Sequence, residues 1–175
     1  ALSEYYWFSG DMSPASKLLP RVKSVLQWFA SIQQQDGILS VPEVFHREQP
    51  EAEQTIWNFI EWPNDFPLWQ RNILLTLHWA ATLECAIRLY GTTASGHTRK
   101  QWTDWRTAAL AGADTYAKRQ PEAAGFWSSP RFLVEAIRSG LGGTETLAAL
   151  VTLSRKGPLN VQYYYLCLIL EELLQ

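Results

Sequence analysis

The sequence predicts an all-α protein built from helical hairpins. Apolar residues recur at three- and four-residue spacing through most of the chain, and Gly and Pro interrupt these stretches where helices would end. Nothing alternates with period two for long enough to make a sheet.

The elements follow in chain order. Residues 1–8 read as the end of a helix stopped by Gly10. Ser13-Pro14 reads as a cap followed by a first-turn proline. From there Leu18, Leu19, Val22, Val25, Leu26, Phe29 and Ile32 keep helical spacing as far as Asp36-Gly37. Residues 36–66 hold Pro42, Pro50 and Pro63 with no sustained period, and a loop that long in a compact domain is usually functional or disordered. Its aromatic content, Phe45, Trp57, Phe59 and Trp62, argues against disorder. A strong helix is expected from about Pro67 to Tyr90, ended by Gly91, and the next over about 97–118. Ser129-Pro130 opens a shorter helix that Gly140–Gly143 breaks. Thr144 is placed to cap the following one, and a last helix spans about Val161–Leu174. About six main helices result.

At 175 residues the chain fits a single helical domain, 1–175, with a core that needs no staples. Its 47% hydrophobic and 18% charged composition excludes a disordered class. A net charge of -2 with no basic run argues against nucleic acid. The longest nearly apolar stretch, Val161–Leu170, is about half the roughly 20 residues that span a bilayer, so no membrane anchor is expected. No basic-then-apolar leader is visible, and the compartment stays open. Cys85 and Cys167 lie in apolar helical stretches and read as buried free thiols.

Familiar catalytic patterns are missing. There is no phosphate loop and no nucleophile elbow, and Glu43-x-x-His46 is only half of a helical di-iron motif. No metal or cofactor is expected. His78, beside Trp79, reads as a partly buried histidine bonded to backbone or to a carboxylate, with proton transfer as the sharper alternative. Asp11 occupies a turn or capping position.

One cluster stands out: Trp57-Asn-Phe-Ile-Glu61-Trp62-Pro-Asn-Asp65-Phe-Pro-Leu-Trp69. Indole faces can stack on sugar rings while carboxylates accept from sugar hydroxyls, which is the mixture a saccharide pocket needs. Trp57, Glu61, Trp62 and Asp65 are therefore the candidate substrate-binding residues. The alternative is that the indoles plug the core beneath a long loop, and grouping of Trp57, Trp62, Trp69 and Tyr5–Trp7 at one loop end would favour the pocket.

Taken together, Tyr5-Tyr-Trp-Phe-Ser-Gly10-Asp11, Gln35-Asp36-Gly37-Ile-Leu39, Phe59-Ile-Glu61-Trp62-Pro63 and the alanine-rich Leu77–Gly91 segment resemble the helical catalytic domain of bacterial α-L-rhamnosidases, which are six-hairpin glycosidases. The resemblance covers about residues 3–91. It is weaker beyond, at Gly125-Phe126-Trp127 and in the Tyr-rich start after Gly157. It implies an (α/α)6 toroid, here incomplete, with loops at one end forming a sugar pocket whose wall includes Trp62.

Glu61 stands where the family carries an aspartate, and the extra methylene displaces the carboxylate by about 1.5 Å. The family's general acid and base, which inverting enzymes hold roughly 6.5–9.5 Å apart, lie in motifs that this chain lacks, so its catalytic residues are unassigned. The resemblance thus implies a glycoside hydrolase-like domain that is only part of a catalytic unit. A non-catalytic helical module binding a saccharide or another chain is the alternative. Beyond a saccharide, the expected partners are the remainder of a parent chain or a second copy, either of which would cover apolar faces such as Leu166–Leu170.

Overall fold

The computed structural model describes residues 2–40, 68–91, 93–119 and 124–155, and these are predominantly helical. The helices are α1 (Leu2–Ser9), α2 (Ser13–Ser31), α3 (Leu68–Tyr90), α4 (Gly96–Arg119), α5 (Ala124–Trp127), α6 (Pro130–Ser139) and α7 (Thr144–Ser154). The single-turn α5 was not anticipated from the sequence, and the expected helix after Val161 lies outside the described residues.

The helix ends follow from local chemistry. Gly10, at φ 68°, closes α1 in the left-handed region that glycine enters without strain. Asp11 then supplies the start of α2, its Oδ1 accepting the Ser13 N–H at 2.8 Å. Ser13 is thus the first helical residue rather than the expected cap, because the carboxylate two positions earlier already satisfies its N–H. Hydrogen bonds from the Ser13 side chain and backbone hold the Asp11 carboxyl below its ordinary pKa.

Ser129 caps α6 as expected, its Oγ accepting the Phe132 N–H at 3.3 Å, and Pro130 fills the first turn. Gly140, at φ 83°, ends the helix. Thr144 does not cap α7; Gly143 takes that position without a side-chain bond.

Contacts along α3 fix how the helices run. The Tyr90 hydroxyl donates to the Ala15 carbonyl at 2.8 Å, whereas Gln33, just past the other end of α2, meets Trp79, so α2 is antiparallel to α3. Trp102 packs on Tyr90 and Tyr116 on Trp69, so α4 is antiparallel as well. In α6, Phe132 packs in the aromatic cluster around Trp69, Glu135 faces His78, and the Ser139 carbonyl is joined through Arg106 to Glu84. Later residues of α6 therefore meet later residues of α3, and the two helices run parallel.

Helix α3 contacts its chain neighbours α2 and α4 and also α1 and α6. That central place explains its sequence. Ile73, Leu74, Leu77, Ala80 and Leu83 have no exposed surface, and the helix is apolar on most sides, as a buried helix must be. One core joins α3 to α2 and the first half of α4, with Leu26, Trp79, Leu83, Tyr90 and Trp102 at its centre. A second joins the first half of α3 to α5, α6 and α7 through Ile73, Leu77, Phe126, Val134 and Leu150.

Candidate functional site

The sequence-predicted saccharide residues Trp57, Glu61, Trp62 and Asp65 lie outside the described residues, as do the Glu43/His46 pair and Cys167. The described chain on either side of that segment converges on the first half of α3. Before it, the Leu39 N–H donates to Thr76 Oγ1 at 2.9 Å, and the Thr76 hydroxyl in turn donates to the Asn72 carbonyl at 2.7 Å. After it, Trp69 in the opening turn of α3 stacks on Tyr116 with ring centroids 6.0 Å apart, and packs against Phe126 and Trp127 at 5.2 and 5.8 Å.

The turn entering the segment is held by backbone proximity. Gly37 has φ 87°, and a Cβ there would sit 2.0 Å from the Ala108 carbonyl oxygen on α4. Gly112, one turn further along α4, leaves equal room: a Cβ there would lie 2.3 Å from the Asp36 carbonyl oxygen. Two glycines facing each other let the Asp36-Gly37 turn rest directly on a helix backbone.

Gln33 completes the joint. Its amide nitrogen donates to the Gly37 and Trp105 carbonyls, both at 3.1 Å, and its Oε1 lies 3.5 Å from Trp79 Nε1. One side chain thus ties the turn, α3 and α4 together. Gln33, Gly112 and Thr76 were not singled out from the sequence. A mid-helix Gly between alanines was the available signal, whereas Gln33 carried none.

A cleft of about 280 Å³ opens beside this turn, lined by Asp36, Gly37, Thr115, Tyr116 and Arg119 among others. Asp36 Oδ1 accepts the Ile38 N–H at 3.1 Å. The cleft combines a carboxylate, a guanidinium and a phenol beside an aromatic cluster, which suits hydrogen bonding and stacking with a polyhydroxylated ring.

The expected grouping of aromatics is not met for Tyr5–Trp7. Helix α1 leads through Gly10 to Ala15, which is bonded to Tyr90 at the C-terminal end of α3, whereas Trp69 lies in its first turn. Trp7 and Phe8 are 84% and 88% exposed. They form a separate surface patch rather than a wall of the Trp69 end.

His78 takes the carboxylate partner that the sequence reading allowed. Its Nδ1 is 3.4 Å from Glu135 Oε2, and its side chain is 49% exposed. The expectation for Cys85 is corrected: it is a free thiol, but exposed, because it lies on the α3 face shared with His78 and Thr82 rather than on the packed one. Among the described residues no group of three His, Cys, Asp or Glu side chains could hold a metal ion, and no helix is long and apolar enough to cross a membrane. No protein-family model matches the chain, and no curated protein or solved structure matches it either.

Proposed function

We propose that this chain is part of the helical catalytic domain of a six-hairpin glycosidase of the α-L-rhamnosidase kind, and that its role there is to hold a saccharide. The observation that carries the reading is the alternation of helices. Helix α3 contacts both α1 and α6, α6 runs parallel to it, and α2 and α4 run antiparallel to it. Successive hairpins added this way build an α/α toroid. The long connection carries the Trp57–Asp65 cluster and enters α3 at the Trp69 aromatic end. In this reading Trp62 and Trp57 stack on the sugar while Glu61 and Asp65 accept from its hydroxyls.

A non-hydrolytic binding module is favoured over catalysis by this chain alone, because the motifs that carry the family's general acid and base are missing from the sequence. Asp11 and Asp36 each accept a backbone N–H at a turn. Glu84 is paired with Arg88 and Arg106, and Glu135 with Arg138 and His78. Each of these described carboxylates is thus engaged by a backbone N–H or by basic side chains.

The test is titration of the chain with L-rhamnose and an aryl α-L-rhamnoside, followed by tryptophan fluorescence and by release of the aryl group. Saturable quenching that Trp62→Ala abolishes, without turnover, is the expected result. Absence of binding to either ligand overturns the saccharide reading. Turnover lost on Glu61→Gln overturns the non-hydrolytic one.

A further inference from the structure

The cleft beside the Asp36-Gly37 turn lies between the two ends of the long connection. Gly37 lines it two residues before Leu39, where the connection begins, and Tyr116 lines it while stacking on Trp69, where the connection enters α3. Its volume of about 280 Å³ falls just short of the roughly 300–1,000 Å³ of pockets for drug-sized ligands, so it has room for one sugar ring and not two. Its walls are fixed before any ligand arrives, because Gly37 rests on the α4 backbone and Gln33 bonds the Gly37 and Trp105 carbonyls.

The two charges that line the cleft are opposite and not paired off. Asp36 Oδ1 accepts the Ile38 N–H at 3.1 Å, and the carboxylate takes part in no ion pair among the described residues. Arg119, the last residue of α4, is exposed and likewise in no ion pair among them, although its neighbour Lys118 is held by Asp114 at 2.6 Å. A ligand with net negative charge is opposed by Asp36, and one with net positive charge by Arg119. A neutral polyol suits both, because each of its hydroxyls can donate to the carboxylate or accept from the guanidinium. The Gln35 amide and the Thr115 and Tyr116 hydroxyls line the same space and add groups of both kinds.

We infer that the cleft is a second sugar subsite that takes a neutral ring between Asp36 and Arg119, next to the unit held by the Trp57–Asp65 cluster. The ligand is then an oligosaccharide whose second unit carries no charge, and Asp36 is the residue that rejects a uronate there. The inference rests on the saccharide reading above and adds to it a specificity that the cluster alone does not supply.

Calorimetric titration of the full chain with L-rhamnose, an α-L-rhamnosyl-glucose disaccharide and the matching rhamnosyl-glucuronate tests it. The neutral disaccharide binds at least tenfold more tightly than L-rhamnose, and the glucuronate form at least fivefold more weakly than the neutral one. Arg119→Ala, at an exposed helix end, cuts the advantage of the neutral disaccharide over L-rhamnose at least fivefold. Asp36→Asn removes the discrimination against glucuronate, an effect that loosening of the turn would not produce. Lys118→Gln leaves both ratios as they are. Circular dichroism of every variant confirms that it is folded, and Arg119→Ala serves if Asp36→Asn is not. Binding of L-rhamnose with no gain for the disaccharide overturns the second subsite and leaves the saccharide reading standing. Equal affinity for the glucose and glucuronate forms, or no effect of Arg119→Ala, overturns it as well. No binding of any of the three sugars overturns both.

Discussion

Gly37 and Ala108 meet backbone to backbone: the turn that leaves α2 rests on the carbonyl of an α4 residue with no side chain between them. The contact needs two things at once, a positive φ and no Cβ, and glycine is the residue that supplies both. Gly37→Ala is therefore expected to destabilise the protein by at least about 2 kcal/mol in chemical denaturation. Gly112→Ala should do likewise, and the double variant should cost less than the two added, because the same contact is lost only once. Gly96→Ala, where a Cβ meets nothing, is the neutral control.

Gln33 binds across the same joint, so Gln33→Ala leaves the Trp105 and Gly37 carbonyls without that donor in a half-buried place. A loss of about 1–2 kcal/mol is expected, read as a lower denaturation midpoint at unchanged slope. A slope change would show instead that the native state had loosened.

Tyr90 anchors the start of α2 through the Ala15 carbonyl, and burial raises its hydroxyl pKa above the ordinary value. The folded state then holds the proton more tightly than the unfolded one. Stability from this source is complete below the unfolded value near 10 and is lost as pH rises through the folded one. Tyr90→Phe should cost about 1 kcal/mol at neutral pH and flatten the alkaline loss, measured as Tm against pH.

Asp11 works in the opposite direction. With its pKa lowered by the Ser13 hydrogen bonds, its contribution is present above the ordinary carboxylate value and fades as pH falls through the lowered one. Asp11→Asn should shrink the acid-side loss of stability while leaving the alkaline side alone.

Cys85 is exposed and free, so a thiol reagent should modify it in the folded protein. Peptide mapping after brief treatment should find the label at Cys85, and Cys85→Ser should remove it. Protection of Cys85 until denaturant is added would contradict the exposed placement.

Much of the architecture was legible in the sequence because helical spacing and punctuation agreed. Gly10, Ser129-Pro130 and Gly140 each ended or began a helix for the reason their chemistry suggests. Pattern reading erred where a side chain's role depended on a distant partner. Ser13 and Thr144 looked like caps, yet Met12 and Gly143 hold the cap positions, with Asp11 accepting the Ser13 N–H.

Cys85 was expected inside because its neighbours are apolar, but the face it occupies is decided by the helix rotation that buries Leu83 and Ala86. Within the candidate site, the aromatics and Asp36-Gly37 could be picked out in advance. The joint itself could not, since Gln33 and Gly112 acquire meaning only when α2 and α4 are brought together.

The alternation of helices also constrains how the chain folds. In the described part the main helix contacts join elements at most three apart in chain order, yet several close long spans: the Tyr90–Ala15 hydrogen bond joins residues 75 apart and the Gln33–Trp105 bond residues 72 apart, each of which adds loop-closure cost to folding. The Leu39–Thr76 bond closes the shortest of these spans, 37 residues, across the connection between α2 and α3. Protection from amide exchange should therefore be deepest in α3, which α1, α2, α4 and α6 cover, and should fall away toward α1 and α7, which pack on fewer helices.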